Sequence, residues 1–373
     1  MEYVLLKEIC NINMGQSPAS STYNDTKVGL PFYQGNADFG DLYPKPRIWC
    51  DKPIKIAKRG DILISVRAPI GALNYAKEEC CIGRGIASIT IDDNNFSREF
   101  IYWCLKNKTQ QLQNMGTGST FKAINKKNLE EIKIPKIELD IQLEIVNNLQ
   151  KANQIIKDYN TEYELLDELV KARFSEVFGN RDEIKYEMVA LKEICTTITG
   201  GTPSTRISEY YNGNIPWIST VSLGPNHIDG TTAKAYITQK AIENSSTKLI
   251  PPNNILFGTR VGVGKSSIND VEMCTNQDIV AIMGVDERLF NKLYIKHVLD
   301  SYQPYFDSIK KGATILGITA DDLKKVLIPR APLELQNQFA DFVHEVDKSR
   351  LTIQKSLEST QELFDSLMQK YFG

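Results

Sequence analysis

The sequence predicts an α+β fold written twice: two repeated α+β domains separated by two long antiparallel coiled-coil helices, the halves related by a pseudo-two-fold axis. Three observations predict it. The chain repeats itself at a spacing of 185 to 194 residues, and a repeat of that length marks a duplicated domain. Two stretches, 139–177 and 333–372, contain neither Gly nor Pro and carry apolar residues at three- and four-residue steps, the pattern of a long amphipathic helix. The remaining sequence holds short β-rich runs punctuated by Gly, Pro and Asn. The boundaries read as domain one over 1–138, helix one over 139–179, domain two over 180–332 and helix two over 333–373.

The repeat opens with Leu6-Lys7-Glu8-Ile9-Cys10, which recurs as Leu191-Lys192-Glu193-Ile194-Cys195; Gly15 matches Gly200, Pro18 matches Pro203, and Pro31-Phe32 matches Pro216-Trp217. Ile62 to Arg67 then aligns with Ile255 to Arg260, Gly71 with Gly264 and Cys81 with Cys274 at a spacing of 193, so the second copy has gained eight residues. Gly118, Thr120, Ile124, Leu129 and Ile134-Pro135 match Gly312, Thr314, Ile318, Leu323 and Ile328-Pro329; Leu139, Gln142 and Phe178-Gly179 match Leu333, Gln336 and Phe372-Gly373. Matched positions are mainly apolar residues, glycines and prolines, which set cores and turns. The stretches 20–28 and 34–58 differ from their counterparts. One scaffold thus carries two different faces, the arrangement expected when loops on a rigid frame hold specificity.

Within domain one, Asp61 to Val66 and Ile86 to Ile91 predict strands and Arg98 to Gln113 a helix. Helix one follows with Ile141, Ile145, Leu149, Ala152, Ile156, Tyr159, Tyr163, Leu166, Leu169 and Val170 as its stripe. Its twin carries Leu335, Phe339, Val343, Val346, Ile353, Leu357, Leu363, Phe364, Leu367 and Tyr371. Each would be roughly 60 Å long, and an apolar stripe of that length needs a partner. Because helix one leads from the first domain to the second, helix two returns only by lying antiparallel to it. Pairing with another chain is the competing reading.

Composition excludes several classes. Apolar residues make up 42% and charged residues 24% of the chain, so neither a disordered chain nor a fibre fits. No apolar run reaches the roughly 18 residues of a membrane span, and the start, Met1 to Glu8, lacks the basic flank of a signal peptide, which points to a cytoplasmic protein without a membrane partner. Seven cysteines without C-x-x-C spacing and three histidines argue for reduced, buried thiols and against a zinc site.

The net charge of -2 hides a distribution. Residues 136–178 carry -4 and 330–372 carry -2, leaving +4 for the rest. Between positions 45 and 59, Lys45, Arg47, Lys52, Lys55, Lys58 and Arg59 face only Asp51, with Tyr43 and Trp49 nearby. Such a patch suits phosphates, whose attraction dominates nucleic-acid affinity.

The duplicated domain, the long helix after each copy, and the segments Gly60 to Arg67 and Ile318 to Pro329 together resemble the specificity subunit of type I restriction-modification enzymes, over essentially the whole chain. In that family two target recognition domains each read one half of a split DNA sequence, while the paired helices act as a ruler and a docking surface. The resemblance implies double-stranded DNA and two adenine-N6 methyltransferase subunits per chain as partners, joined by a motor-nuclease subunit where restriction occurs. It also implies no catalysis and no cofactor in this chain, S-adenosylmethionine belonging to the methyltransferase.

Matched positions combined with chemistry supply candidate DNA-contacting residues. Arg67 and Arg260 follow an apolar strand and precede a Gly-containing turn, where a guanidinium can reach a guanine edge or a phosphate; a structural salt bridge is the competing reading. Arg84 matches Gln277, and both side chains make bidentate contacts to bases. Tyr33 and Gln34, with Ser219 and Thr220 in the second copy, follow the shared proline-aromatic unit. Ser119, Thr120 and Lys122 lie in or behind a glycine turn whose counterpart holds Thr314, and such a turn offers backbone N–H groups to a phosphate. Arg47 belongs to the basic patch. Gly262 to Ser266 imitates a nucleotide-binding loop but has Thr259 where the first Gly belongs, so only Lys265 is kept, as a DNA contact. The Asn/Asp-Pro-Pro-aromatic signature of an adenine methyltransferase is missing, since Pro251-Pro252 lies between Ile250 and Asn253.

Overall fold

The computed structural model describes residues 2–117, 122–179, 185–312 and 314–373. The chain divides into two compact units, one of residues 1–161 with 354–373 and the other of 162–353. The division falls inside the long helices, because each globular part buries its core partly against helix.

In the first unit, Tyr3–Leu5 pairs with Lys133–Pro135 and closes the domain's two ends. A four-stranded antiparallel sheet runs in the order Cys10–Met14, Ile86–Ile91, Ile62–Ser65, Leu73–Tyr75. Its Ile62-Leu63-Ile64 run is apolar without alternation because both faces are covered: Ile62 and Ile64 pack with Phe100 and Leu105, whereas Leu63 packs with Tyr33, Ile82 and Ile86. A five-stranded sheet follows the order Tyr23–Asn24, Ile48–Cys50, Leu30–Tyr33, Cys80–Ile82, Ile56–Ala57. The helical segment expected over 98–113 is two helices, Arg98–Asn107 and Thr109–Met115. They break at Lys108, where Thr109 Oγ1 turns back to donate to the carbonyl of Lys106 (2.9 Å).

The second unit repeats the plan. Met188–Ala190 pairs with Leu327–Pro329. One sheet runs Thr196–Thr199, Ile279–Met283, Ile255–Gly258, Ser266–Asn269, His227–Ile228, and the other Ala235–Ile237, Ile215–Ile218, Met273–Thr275, Leu249–Ile250. The matched glycines Gly15 and Gly200 are explained by close approach: a Cβ would lie 2.2 Å from Gly83 O in the first case and 2.2 Å from Thr275 Oγ1 in the second.

The long helices span Leu139–Phe178 and Leu333–Phe372. In the first unit Ile145, Val146, Leu149 and Ala152 share a core with Phe364, Met368 and Phe372, and Phe364 meets the Trp103 ring at 5.6 Å. In the second, Val170 and Phe178 share a core with Phe339, Val343 and Val346. A buried glutamine fastens each helix start. Gln142 Nε2 donates to the carbonyls of Asn95 (2.8 Å) and Ile137 (2.7 Å), and its Oε1 accepts from Ser97 N (2.9 Å). Gln336 does the same with Leu289, Ala331 and Asn291. Not every position of the expected stripe is covered: Ile141, Tyr163, Leu169 and Leu363 are exposed, because each helix presents only one side to its own globular core.

All seven cysteines are free thiols, six of them buried; burial pushes Cys10 and Cys80 up to about 12. No helix among the described residues is long and apolar enough to cross a membrane.

Candidate nucleic-acid interface

In each unit the matched segments are laced edge to edge by backbone hydrogen bonds. In the first, Gly83 N donates to Tyr33 O (2.8 Å), Gly85 N to Gln34 O (3.2 Å), Val66 N to Gly85 O (2.9 Å), Ala68 N to Lys122 O (3.2 Å) and Ile124 N to Val66 O (3.0 Å). In the second, Asn276 N donates to Ile218 O (3.0 Å), Thr259 N to Asp278 O (2.8 Å) and Ile318 N to Thr259 O (2.8 Å). The two rows occupy equivalent repeat positions. Lacing this tight needs glycine in the first copy, where a Cβ on Gly85 would sit 2.3 Å from Gln34 O.

These rows bring candidates from distant parts of the sequence together. Gln34, Arg84, Arg67 and Lys122 are exposed along the first. Arg260, Gln277 and Thr314 are exposed along the second, Thr314 on a loop closed by the Lys311–Gly317 bridge that abuts Arg260. The neighbours correspond too: Arg84 N donates to Ser17 Oγ (3.3 Å), and at the matching positions Thr202 Oγ1 donates to Gln277 Oε1. Arg260 Nη1 lies 3.7 Å from Asp278 Oδ1. That distance exceeds a hydrogen bond, and the guanidinium is mostly exposed, so the ion pair is a loose tether.

A cleft of about 510 Å³ opens on the first row, lined by Gln34, Asn36, Asp38, Arg47 and Arg67 over a floor that includes Phe32, Ile48 and Pro69. Arg47 donates through Nε (3.1 Å) and Nη2 (2.5 Å) to the same oxygen of Asp38. Asp38 Oδ2 accepts from the backbone N–H groups of Gln34 (2.7 Å) and Gly35 (3.3 Å). Of the wider basic patch, Lys45, Lys52, Lys58 and Arg59 are exposed and Lys55 is half-buried.

Other candidates are placed differently. Tyr33 is 3% exposed and packs with Ala57, Leu63, Ile82 and Ile86, so its ring serves the core; burial raises its hydroxyl above the usual tyrosine range. Ser219 and Thr220 are also covered, because the chain turns there through a short 3-10 helix; the exposed residue of that turn is Val221, 84% accessible. Lys265 stands apart from the row, lining a separate cavity with Lys296, His297 and Arg350. Ser119 and Thr120 lie outside the described residues. Sequence reasoning missed Asp38, Asn36 and Val221. Asn36 and Val221 occupy equivalent repeat positions just past the shared proline-aromatic unit, a signal that was available. Among the described residues no three His, Cys, Asp or Glu side chains gather as a metal site would require.

Each unit thus presents an arginine at the same point of the same laced scaffold, as two copies of one domain would. The chain belongs to the family of the type I restriction modification DNA specificity domain, whose model matches residues 1–165 and 183–362. It is 42% identical over 160 residues to the protein assigned as the type I restriction enzyme MjaX specificity subunit of Methanocaldococcus jannaschii, covering 43% of this chain and 38% of that one. It is 29% identical over 236 residues to the EcoR124I/EcoR124II specificity subunit of Escherichia coli, covering 61% and 57% respectively. The matched part thus spans roughly two-fifths to three-fifths of these relatives' length. The fold is shared with the crystal structure of a type I restriction-modification system S subunit from M. genitalium, at a TM-score of 0.61 and 14% identity over 100% of this chain and 96% of that one. A chain from a structural study of type I R-M complex assembly and conformational transition gives a TM-score of 0.62 at 17% identity, covering 100% and 97%.

Proposed function

We propose that this chain is the sequence-reading subunit of a type I restriction-modification complex, working in the cytoplasm on double-stranded DNA. Each α+β domain reads one half of a bipartite target. The two long helices run antiparallel between the domains, fix the gap between half-sites, and dock two adenine-N6 methyltransferase subunits. Support for that pairing comes from each unit taken alone, since each packs the start of one long helix with the end of the other. The chain itself carries no chemistry. The methyltransferase subunits bind S-adenosylmethionine and turn the target adenine out of the duplex, and cleavage follows when a motor-nuclease subunit joins.

The observation that carries this reading is the repeated row: Arg67 and Arg260 sit at the same point of the same backbone lacing, beside Arg84 in one copy and Gln277 in the other. A shared frame with exchanged donors and acceptors is what reading two different half-sites requires, because base edges are distinguished by their hydrogen-bond pattern. The test is to map N6-methyladenine genome-wide in an expressing host before and after deleting the gene. Loss of one bipartite methylated motif is expected, and an unchanged adenine pattern would contradict the proposal.

A further inference from the structure

The geometry points to Arg47 as a reader of guanine in the half-site taken by the first unit, with Asp38 as the positioning residue that aims it. This deepens the reading above and rests on it. Asp38 is 7% exposed, and its carboxylate is held from one side by the backbone N–H groups of Gln34 and Gly35. From that fixed point Oδ1 takes the Nε and Nη2 edge of Arg47. The guanidinium carries five N–H donors in a rigid plane. With one edge committed, the Nη1 end and the second Nη2 hydrogen remain to form the parallel pair of donors that fits two adjacent acceptors.

The cleft that receives this edge favours guanine for a further reason. Arg67 lines the same cleft, so both of its cations present donors only. In the major groove guanine shows two acceptors, N7 and O6, whereas adenine places an N6 donor and cytosine an N4 donor where Arg47 would meet them. A phosphate contact would not need this construction. Lys52, Lys58 and Arg59 are exposed as Arg47 is, but among the described residues no carboxylate holds them, and phosphate attraction asks only for charge near the backbone. A buried carboxylate pinned through one oxygen by two backbone N–H groups and orienting one arginine through the other serves a target whose acceptors must be met in a set direction.

The experiment uses the full chain assembled with its methyltransferase subunits. Methylation rates are measured on duplexes carrying the target with each of the four bases at every position of the first unit's half-site, for the parent, Arg47→Lys, Arg47→Gln and Asp38→Asn. Arg47→Lys keeps the charge and loses the fork. It should lower the preference for guanine at one position by roughly 5- to 150-fold, the range of a lost bidentate pair, while preferences at all other positions hold. Asp38→Asn should flatten the same position, because the amide no longer holds the guanidinium by charge. The salt dependence of binding should stay near the parent value for both Arg47→Gln and Arg47→Lys, because a guanidinium that meets a base edge neutralises no phosphate; a fall of about one ion for Arg47→Gln would make Arg47 a phosphate contact. A half-site without guanine, or an Arg47→Lys complex with every base preference intact, would overturn the proposal. A uniform loss across all sequences would make Arg47 a phosphate contact instead. A parent complex with no base preference at any position would remove the functional reading itself, and this proposal with it.

Discussion

Replacing Gln142 by Leu should loosen the first unit where the long helix begins. The glutamine is fully buried and makes three hydrogen bonds of 2.7 to 2.9 Å, to the carbonyls of Asn95 and Ile137 and from Ser97 N. Leucine fills much of the space but leaves one N–H and two carbonyl groups without partners, each costing about 1–3 kcal/mol when buried. The two carbonyls are only part-buried and backbone relaxation recovers more of the cost, so a net loss of about 2–3 kcal/mol is expected. Hydrogen exchange read by mass spectrometry gives the local answer. Amides of the helix Arg98–Asn107, whose N-cap Ser97 is the group released, should exchange roughly 100-fold faster. The equivalent helix Lys292–Ser301 of the second unit, fastened by Gln336, should keep the parent rate. Gln336→Leu should give the mirror result. A change under about 10-fold in 98–107, or equal loosening of both helices by one substitution, would refute the account of these glutamines.

Other outcomes follow from the same geometry. Arg67→Ala should weaken binding of the assembled complex to duplexes by about 1–3 kcal/mol through the first half-site alone, and Arg260→Ala through the second alone, read by titration against duplexes altered in one half at a time. His297 packs, mostly covered, against the Phe339 ring, and that desolvation, with Lys296 and Arg350 nearby, holds its imidazole well below the ordinary 6.5. A group depressed in the folded state protonates first in the unfolded chain, so its contribution is complete above about pH 6.5 and is lost as pH falls below that value. Urea unfolding of the second unit should therefore weaken by up to about 1.4 kcal/mol per pH unit below 6.5, and His297→Gln should remove that slope; an unchanged slope in the variant would show that other groups cause it.

The scaffold was legible because duplication tests each assignment twice. Ile62 to Arg67 and Ile255 to Arg260 match position for position, and in both a central strand is followed two residues past its end by an exposed arginine. The paired glutamines were visible as a match, yet their role depends on burial, which no spacing reveals. Tyr33, Ser219 and Thr220 have chemistry that suits a base, but Tyr33 ends its strand with the ring in the core, and Ser219 and Thr220 are covered in the turn after the equivalent strand. Asp38 could not be singled out, since its partner Arg47 lies nine residues on and the pairing arises only when the loop folds back toward the sheet. Stripe residues such as Ile141 and Leu363 show the same limit, because periodicity defines a helix face without saying how much of it is covered.

The most direct test of the two-reader account is to replace residues 1–138 with the corresponding domain of a relative of different specificity and to sequence the methylated adenines made by the assembled complex. One half of the bipartite motif should change to the donor's half while the other half remains. If both halves changed, or neither did, the claim that each unit reads its own half of the target would be wrong.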